Sequence, residues 1–166
     1  SGKSTLVAAC AVEGAEVVCD DSLVVSRGRQ HWIGVPSYPA VRLWPSGLEQ
    51  VGATASDPAA HYTDKRRVGP EHGAWRFAEQ ARPLRRLILL GGDQPVRPLA
   101  VELYAQVFRL DVRDPVEAVR LFHDVADLAA DLEVVRLGPR ATRDPVSVAR
   151  RLLRPPQGSG IVGPYG

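Results

Sequence analysis

Residues 2–21, GKSTLVAACAVEGAEVVCDD, decide how the rest of the chain is read. Gly2, Lys3 and Ser4 match the last three fixed positions of a phosphate-binding loop, G-x-x-x-x-G-K-[ST], which joins a buried strand to a helix. Residues 4–13 lack Gly and Pro and are rich in Ala and Leu, which predicts a helix closed by Gly14. Residues 15–21 then form a short apolar run ending in two acids. That is the pattern of a buried strand delivering carboxylates at its C-terminal end. The first loop glycine and its strand would lie ahead of residue 1. The chain therefore reads as a domain entered inside its loop, and it contains no Met.

The chemistry of this arrangement is specific. Backbone N–H groups of such a loop and of the following helix face phosphate oxygens. Lys3 would reach the β- and γ-phosphates, the Ser4 hydroxyl would help to hold Mg²⁺, and Thr5 would support the helix start. By itself G-K-S is a weak match, and a helix start with a solvent-facing Lys3 is the plain alternative. The helix and strand that follow raise the phosphate-binding reading above it. One of the two carboxylates, Asp20 or Asp21, can ligate Mg²⁺ while the other orients or deprotonates an attacking hydroxyl. An isolated Asp pair would more often simply end a strand. One strand after a phosphate-loop helix, the catalytic reading is favoured.

Further along, SLVVS and QHWIGV flank Arg27-Gly28-Arg29 and predict a hairpin. Pro45 predicts the start of a short helix. Residues 52–83 show little periodicity and read as irregular connections, with an edge strand near Trp75-Arg76-Phe77. RRLILLGG predicts a buried strand. PLAVELYAQVF predicts a helix with Leu99, Leu103 and Val107 on one face. Asp114-Pro115-Val116-Glu117 is a strong helix start, followed by apolar positions at helical spacing to Leu132. EVVRLG predicts a strand, and Asp144-Pro145 starts a helix to about Leu153. The expected organisation is one domain over 1–154 and a Pro- and Gly-rich disordered tail over 155–166.

Composition sets the outer bounds. Hydrophobic residues make up 45% and charged residues 24%, enough apolar material for a core. A net charge of +2 gives no sign of wholesale nucleic-acid or membrane binding. Apolar runs are too short to span a bilayer. Cys10 and Cys19 have neither disulfide-framework nor metal spacing and read as reduced, packed thiols. A cytoplasmic compartment follows as the expectation.

GKSTLVAACAVEGAEVVCDDSLVV resembles the catalytic domain of HPr kinase/phosphorylase. YPAVRLWPSGLEQVG, DKRRV, RRLILLGG and PLAVELYAQVFRLDVRDPVEAVRLFHDVADLA resemble its shorter relatives, the HPr serine kinase-like proteins, some of which modify lasso-peptide precursors. The resemblance spans the chain to about Leu153. It implies an α/β fold with a mixed sheet and flanking helices, truncated ahead of its loop. It further implies ATP and Mg²⁺ as ligands, with Gly2, Lys3, Ser4 and Thr5 at the phosphates. Lys3 and Asp20 are assigned to catalysis, with Asp20 as the base, and Ser4 and Asp21 to the metal. The reverse division of the two acids stays open.

The implied function is transfer of the γ-phosphoryl group to a serine of a protein or peptide. The implied partner is an HPr-like carrier or a ribosomal peptide precursor, and homo-oligomers are typical of the family. The family's Gly-Arg-Asn run followed by Glu is not seen; Val96-Arg97-Pro98 and Glu102 are a faint echo of it. That departure favours the divergent branch over a bifunctional kinase/phosphorylase. Two other functions compete: a catalytically silent nucleotide-binding regulatory module, and an ATPase or small-molecule kinase of another phosphate-loop lineage.

Several lesser features carry even or bland readings. Lys65-Arg66-Arg67 could clamp phosphate or be a solvated charge run. Arg42 could face the nucleotide or solvent. Trp32 and Trp44 read as packing residues. His31, His61, His72 and His123 show no metal spacing, and Arg109 is not assigned to the site.

Overall fold

The computed structural model describes residues 2–54, 56–60, 63–72, 75–92, 97–108, 114–138 and 143–154. In chain order the elements are α1 (Lys3–Val12), β1 (Glu16–Val17), β2 (Val24–Arg27), β3 (Trp32–Val35), β4 (Val41–Leu43), α2 (Pro45–Val51), β5 (Asp57–Ala60) and β6 (Thr63–Val68). A 3₁₀ turn (Pro70–His72), β7 (Arg76–Phe77), β8 (Arg82–Pro83), β9 (Arg86–Leu90), α3 (Leu99–Tyr104), α4 (Pro115–Asp131), β10 (Glu133–Leu137) and α5 (Pro145–Leu153) follow. The class is α/β. No described helix is long and apolar enough to cross a membrane.

Among the described residues the strands pair in four small sheets instead of the single mixed sheet expected. β1 pairs with β7 and β9 with β10, both parallel; β2–β3–β8 and β4–β6–β5 are antiparallel. The expected strand over 15–21 pairs only at Glu16–Val17.

Local chemistry explains the helices. α1 ends in a Schellman motif: Gly14 takes φ 96°, its N–H donates to the Ala11 carbonyl, and the Ala15 N–H donates to that of Cys10. α4 starts as its sequence predicts, with the Asp114 carboxylate accepting from the Val116 N–H at 2.8 Å and Pro115 in the first turn. Asp144 caps α5 in the same manner, accepting from the Ser147 N–H at 3.1 Å.

The core forms where α1 meets α2, α5 and the β4–β6 ladder. Ala8, Ala9 and Ala149 are fully buried, so short side chains let α1 and α5 approach closely. Val41, Leu43 and Val68 fill the space beside them. At the other crossing, a Cβ on Gly47 would sit 3.1 Å from the Thr5 hydroxyl, so glycine lets α2 close on α1. This packing fixes the start of α1, and with it Lys3 and Ser4, against β4.

Three expectations need correction. Residues 52–83 are not irregular throughout: β5 and β6 form a hairpin with a bulge between Pro58 and Ala60, and β6 is the central strand of its sheet. β9 exists but none of its five residues is fully buried. Trp44 is 53% exposed, whereas Trp32 is buried as expected and donates its indole N–H to Asp131 at 2.9 Å. Residues 155–166, His61, Val96 and Arg109 fall outside the described residues.

Candidate functional site

The start of α1 has an unusual shape. Gly2 adopts φ 70°, the left-handed region that favours glycine. Among the described residues no side chain caps the first turn, and no acid lies in it. The first-turn N–H groups therefore have no side-chain acceptor, which is the arrangement that suits an anion.

Asp20 comes to this helix start from the segment after β1. Lys3 and Asp20 line one cavity of about 360 Å³ together with Leu6, Val7 and Ile88. The Arg42 backbone N–H donates to Asp20 Oδ2 at 2.9 Å. Asp20 Oδ1 is buried and has no hydrogen-bond partner among the described residues. Burial pushes the Asp20 carboxyl above the ordinary range, and the neighbouring Asp21 charge adds to this. The Arg42 N–H, the Ser4 hydroxyl and the Lys65 charge oppose it.

Asp21 faces a different environment. It is exposed, and its carboxylate lies 3.4 Å from Arg42 Nη1. Arg42 thus serves both acids, one through its backbone and the other through its guanidinium. Cys19, beside them, is half-buried; burial first, then Asp20, raise its thiol.

The β4–β6 register settles the basic run. Arg42 lies opposite Arg67, and Leu43 opposite Arg66. Because side chains alternate along a strand, Arg42, Lys65 and Arg67 share the face turned away from Val41, Leu43 and Val68. Arg66 points to the other face and donates to the Ser56 carbonyl at 2.7 Å. Two aromatic rings join the cationic face: the Arg42 and Arg67 guanidinia stack near Tyr38, and Lys65 Nζ lies 5.8 Å from the Trp44 ring centre. The even reading of Lys65-Arg66-Arg67 thus divides by strand parity. Tyr38 and Trp44 were not assigned to a site from sequence; their exposure beside cations is visible only once the ladder is known.

Arg67 is also engaged elsewhere. It donates to the Tyr38 hydroxyl at 2.6 Å and to the Glu71 carboxylate. Asp57, Glu71 and His72 form a group of possible metal ligands around it. The hydrogen bonds speak against a metal there. His72 Nδ1 accepts from the Gly69 N–H at 3.0 Å, so Nε2 carries the proton of the neutral ring and faces Asp57 at 3.6 Å. Arg67 already supplies the positive charge between the two acids. The group latches β5 and β6 to the 3₁₀ turn.

Of the residues expected at the site, Lys3 and Asp20 line one cavity, the Ser4 hydroxyl reaches the Asp20 carboxylate and Gly2 supplies the turn at the start of α1, whereas Asp21 borders a second cavity. Thr5 instead packs its hydroxyl toward α2 at Gly47. Glu102 is held by Arg136 at 2.6 Å. His31 and His123 are exposed and join no ligand group among the described residues.

A scan against protein-family models, a search of curated proteins and a search of solved structures each returned no match to this chain.

Proposed function

We propose that the chain is an ATP-dependent serine kinase of the HPr kinase-like type, moving the γ-phosphoryl group of ATP in line to a serine hydroxyl of a protein or peptide. The observation that carries this reading is the meeting of Lys3, Ser4 and the half-buried Asp20 carboxylate at the start of α1. A phosphate chain there would find N–H donors, an ammonium and a hydroxyl on one side. The cationic face of β4–β6 stands next to the acid pair on the other.

Mg²⁺ fits the residues present. Asp20 Oδ1 is a buried oxygen without a donor, the Ser4 hydroxyl is beside it, and Mg²⁺ takes oxygen ligands of this kind. When bound, the ion would neutralise charge on the phosphate oxygens. These surroundings favour Ser4 and Asp20 as its protein ligands.

Asp21 is then the better candidate for the base, the reverse of the division expected from the resemblance. It is exposed toward a second groove, where an acceptor would approach. In the transfer, the serine oxygen forms a bond to the γ-phosphorus and the bond to the β,γ-bridging oxygen breaks. The serine proton passes to Asp21, and ADP leaves. Lys3 and Arg42 hold negative charge as it shifts toward the leaving oxygen.

The test is label transfer from γ-labelled ATP to serine-containing peptides by the full encoded chain, with Asp21→Asn as control. Label on serine that disappears in Asp21→Asn supports the kinase. Tight ATP binding with no label on peptide would leave the silent nucleotide-binding module; phosphate release alone would leave an ATPase.

A further inference from the structure

A second cavity, about 640 Å³, begins at Asp21 and runs along β2. Its lining has an informative pattern. Residues 21–27 all border it, without a break. Side chains alternate between the two faces of a strand, so the four consecutive residues of β2, Val24–Arg27, can line one groove only if it follows the strand's edge. The opposite wall is one face of α4: Leu121, Asp124, Val125 and Leu128, at helical spacing. Leu103 and Val107 close the end near α3.

The edge itself is unpaired. Among the described residues β2 pairs only with β3. The Gly28 N–H donates to the His31 carbonyl, and the Leu84 N–H donates to the Trp32 carbonyl on the far side of β3. In the antiparallel alternation this makes Val24 and Ser26 the residues bonded to β3. Val25 and Arg27 therefore direct their N–H and C=O groups outward, into the groove. The walls cannot close on each other, because Arg27 pairs with Asp127 at 2.8 Å and Trp32 bonds Asp131, holding the hairpin at a set distance from α4.

We infer that this groove docks an extended segment of the acceptor polypeptide as an added strand on β2, with aliphatic side chains against α4 and a basic residue near Asp124. Three observations favour this occupant. Outward N–H and C=O groups at two-residue spacing suit a backbone in β conformation. Apolar side chains, Val25, Val107, Leu121, Val125 and Leu128, line the groove beside the polar Ser22, Ser26 and Gln106. The charge of Asp124 has no salt-bridge partner among the described residues, while Arg27 is neutralised by Asp127 and Asp21 by Arg42. A basic side chain would complete it. Naming the segment an acceptor rests on the kinase reading, since Asp21 stands at the groove's end; the docking itself does not.

The probe is a short blocked peptide alternating valine with serine and carrying a lysine at each end. Amide exchange of the full chain is followed by NMR with and without it. Docking predicts at least tenfold slower exchange at the Val25 and Arg27 amides, with Val24 and Ser26 little changed. The same peptide N-methylated at alternate residues should give no protection. Val25→Pro removes one outward donor without breaking a bond to β3, and edge strands accept proline there. It should weaken peptide binding at least tenfold, with the thermal midpoint and ATP binding unchanged. Equal protection by the N-methylated peptide overturns the strand-addition model. So does protection of Val25 and Arg27 that grows with protein concentration and needs no peptide, which would mark a contact between copies of the chain. Protection without phosphoryl transfer keeps the docking and removes the kinase; transfer without protection does the opposite.

Discussion

The backbone N–H of Arg42 donates to Asp20 at 2.9 Å, while the side chain of the same residue lies 3.4 Å from Asp21. One residue of β4 therefore holds two adjacent carboxylates in two environments. Asp20 is drawn inward toward Ser4 and Lys3, and Asp21 stays outside. Two like charges so close repel, and the fold tolerates them because each has a donor.

That tolerance predicts a gain of stability when Asp20 is neutralised. The folded protein holds the Asp20 proton more tightly than the unfolded chain, whose carboxyl titrates near 3.8. Stability from this group therefore falls as pH rises from about that value through the raised folded pKa, and the loss is complete above it. Asn can still accept from the Arg42 N–H. In EDTA at neutral pH, Asp20→Asn should melt at a higher temperature than the wild type, and the two should converge below about pH 4. The same variant should lose the melting shift produced by Mg²⁺ with ATP. A lower melting point in EDTA would show that the Asp20 charge is compensated in the fold and contributes to stability.

Lys3 should act on ligand and leave the fold untouched. Its side chain is exposed, and it is not among the residues of the buried core. A charge-assisted hydrogen bond to phosphate contributes roughly 1.5–3 kcal/mol. Lys3→Ala should therefore weaken ATP binding about ten- to a hundredfold in calorimetric titration, with an unchanged melting point. Arg42→Ala keeps the backbone donor to Asp20 and removes the guanidinium at Asp21; it should lower transfer more than binding. Unaltered ATP affinity in Lys3→Ala would place the phosphates elsewhere.

The small residues between α1 and α5 should be intolerant of bulk. Ala149 is fully buried against α1. Ala149→Leu forces the helices apart, a change that costs about 1–3 kcal/mol in tightly packed cores. Urea unfolding should show that loss, and ATP affinity should fall with it, because α1 carries Lys3 and Ser4. Full stability in Ala149→Leu would mean the crossing is looser than the structure shows.

Asp144 gives a pH-dependent prediction of opposite sign to Asp20. Hydrogen bonding by Ser147 holds its carboxyl below the ordinary 3.8. Its stabilisation is present above about that pH and is lost as pH falls through the depressed folded value. Asp144→Asn keeps a capping oxygen but does not titrate. The difference in urea midpoint between wild type and this variant should be constant from pH 5 to 8, then shrink as the pH falls below about 3.8 through the depressed folded value. A difference that stays constant to the lowest pH would show that the cap's charge contributes nothing.

Helix ends were the most legible part of the chain. Gly14, Asp114-Pro115 and Asp144-Pro145 act through local hydrogen bonds, and each does so in the structure. The β2–β3 hairpin was legible for the same reason: a Cβ on Gly28 would lie 2.7 Å from the His31 carbonyl oxygen. β6 was not legible. TDKRRV has a single buried apolar residue, Val68, and the strand is held by cross-strand cations, aromatics and the Arg66–Ser56 bonds. No period in hydrophobicity marks such a strand. The site divides in the same way. Lys3, Ser4, Asp20 and Asp21 stand out by motif and spacing. Tyr38, Trp44 and the shared face of Arg42, Lys65 and Arg67 depend on a register between distant segments.

The most direct measurement is incorporation of γ-phosphate from labelled ATP into serine of an acceptor peptide. The full encoded chain would be compared with Lys3→Ala and Asp21→Asn, with and without Mg²⁺. The account predicts phosphoserine that requires Mg²⁺, falls at least tenfold in Lys3→Ala and vanishes in Asp21→Asn. Label that persists undiminished in both variants, or a wild-type chain that neither binds ATP nor labels any serine, would contradict it.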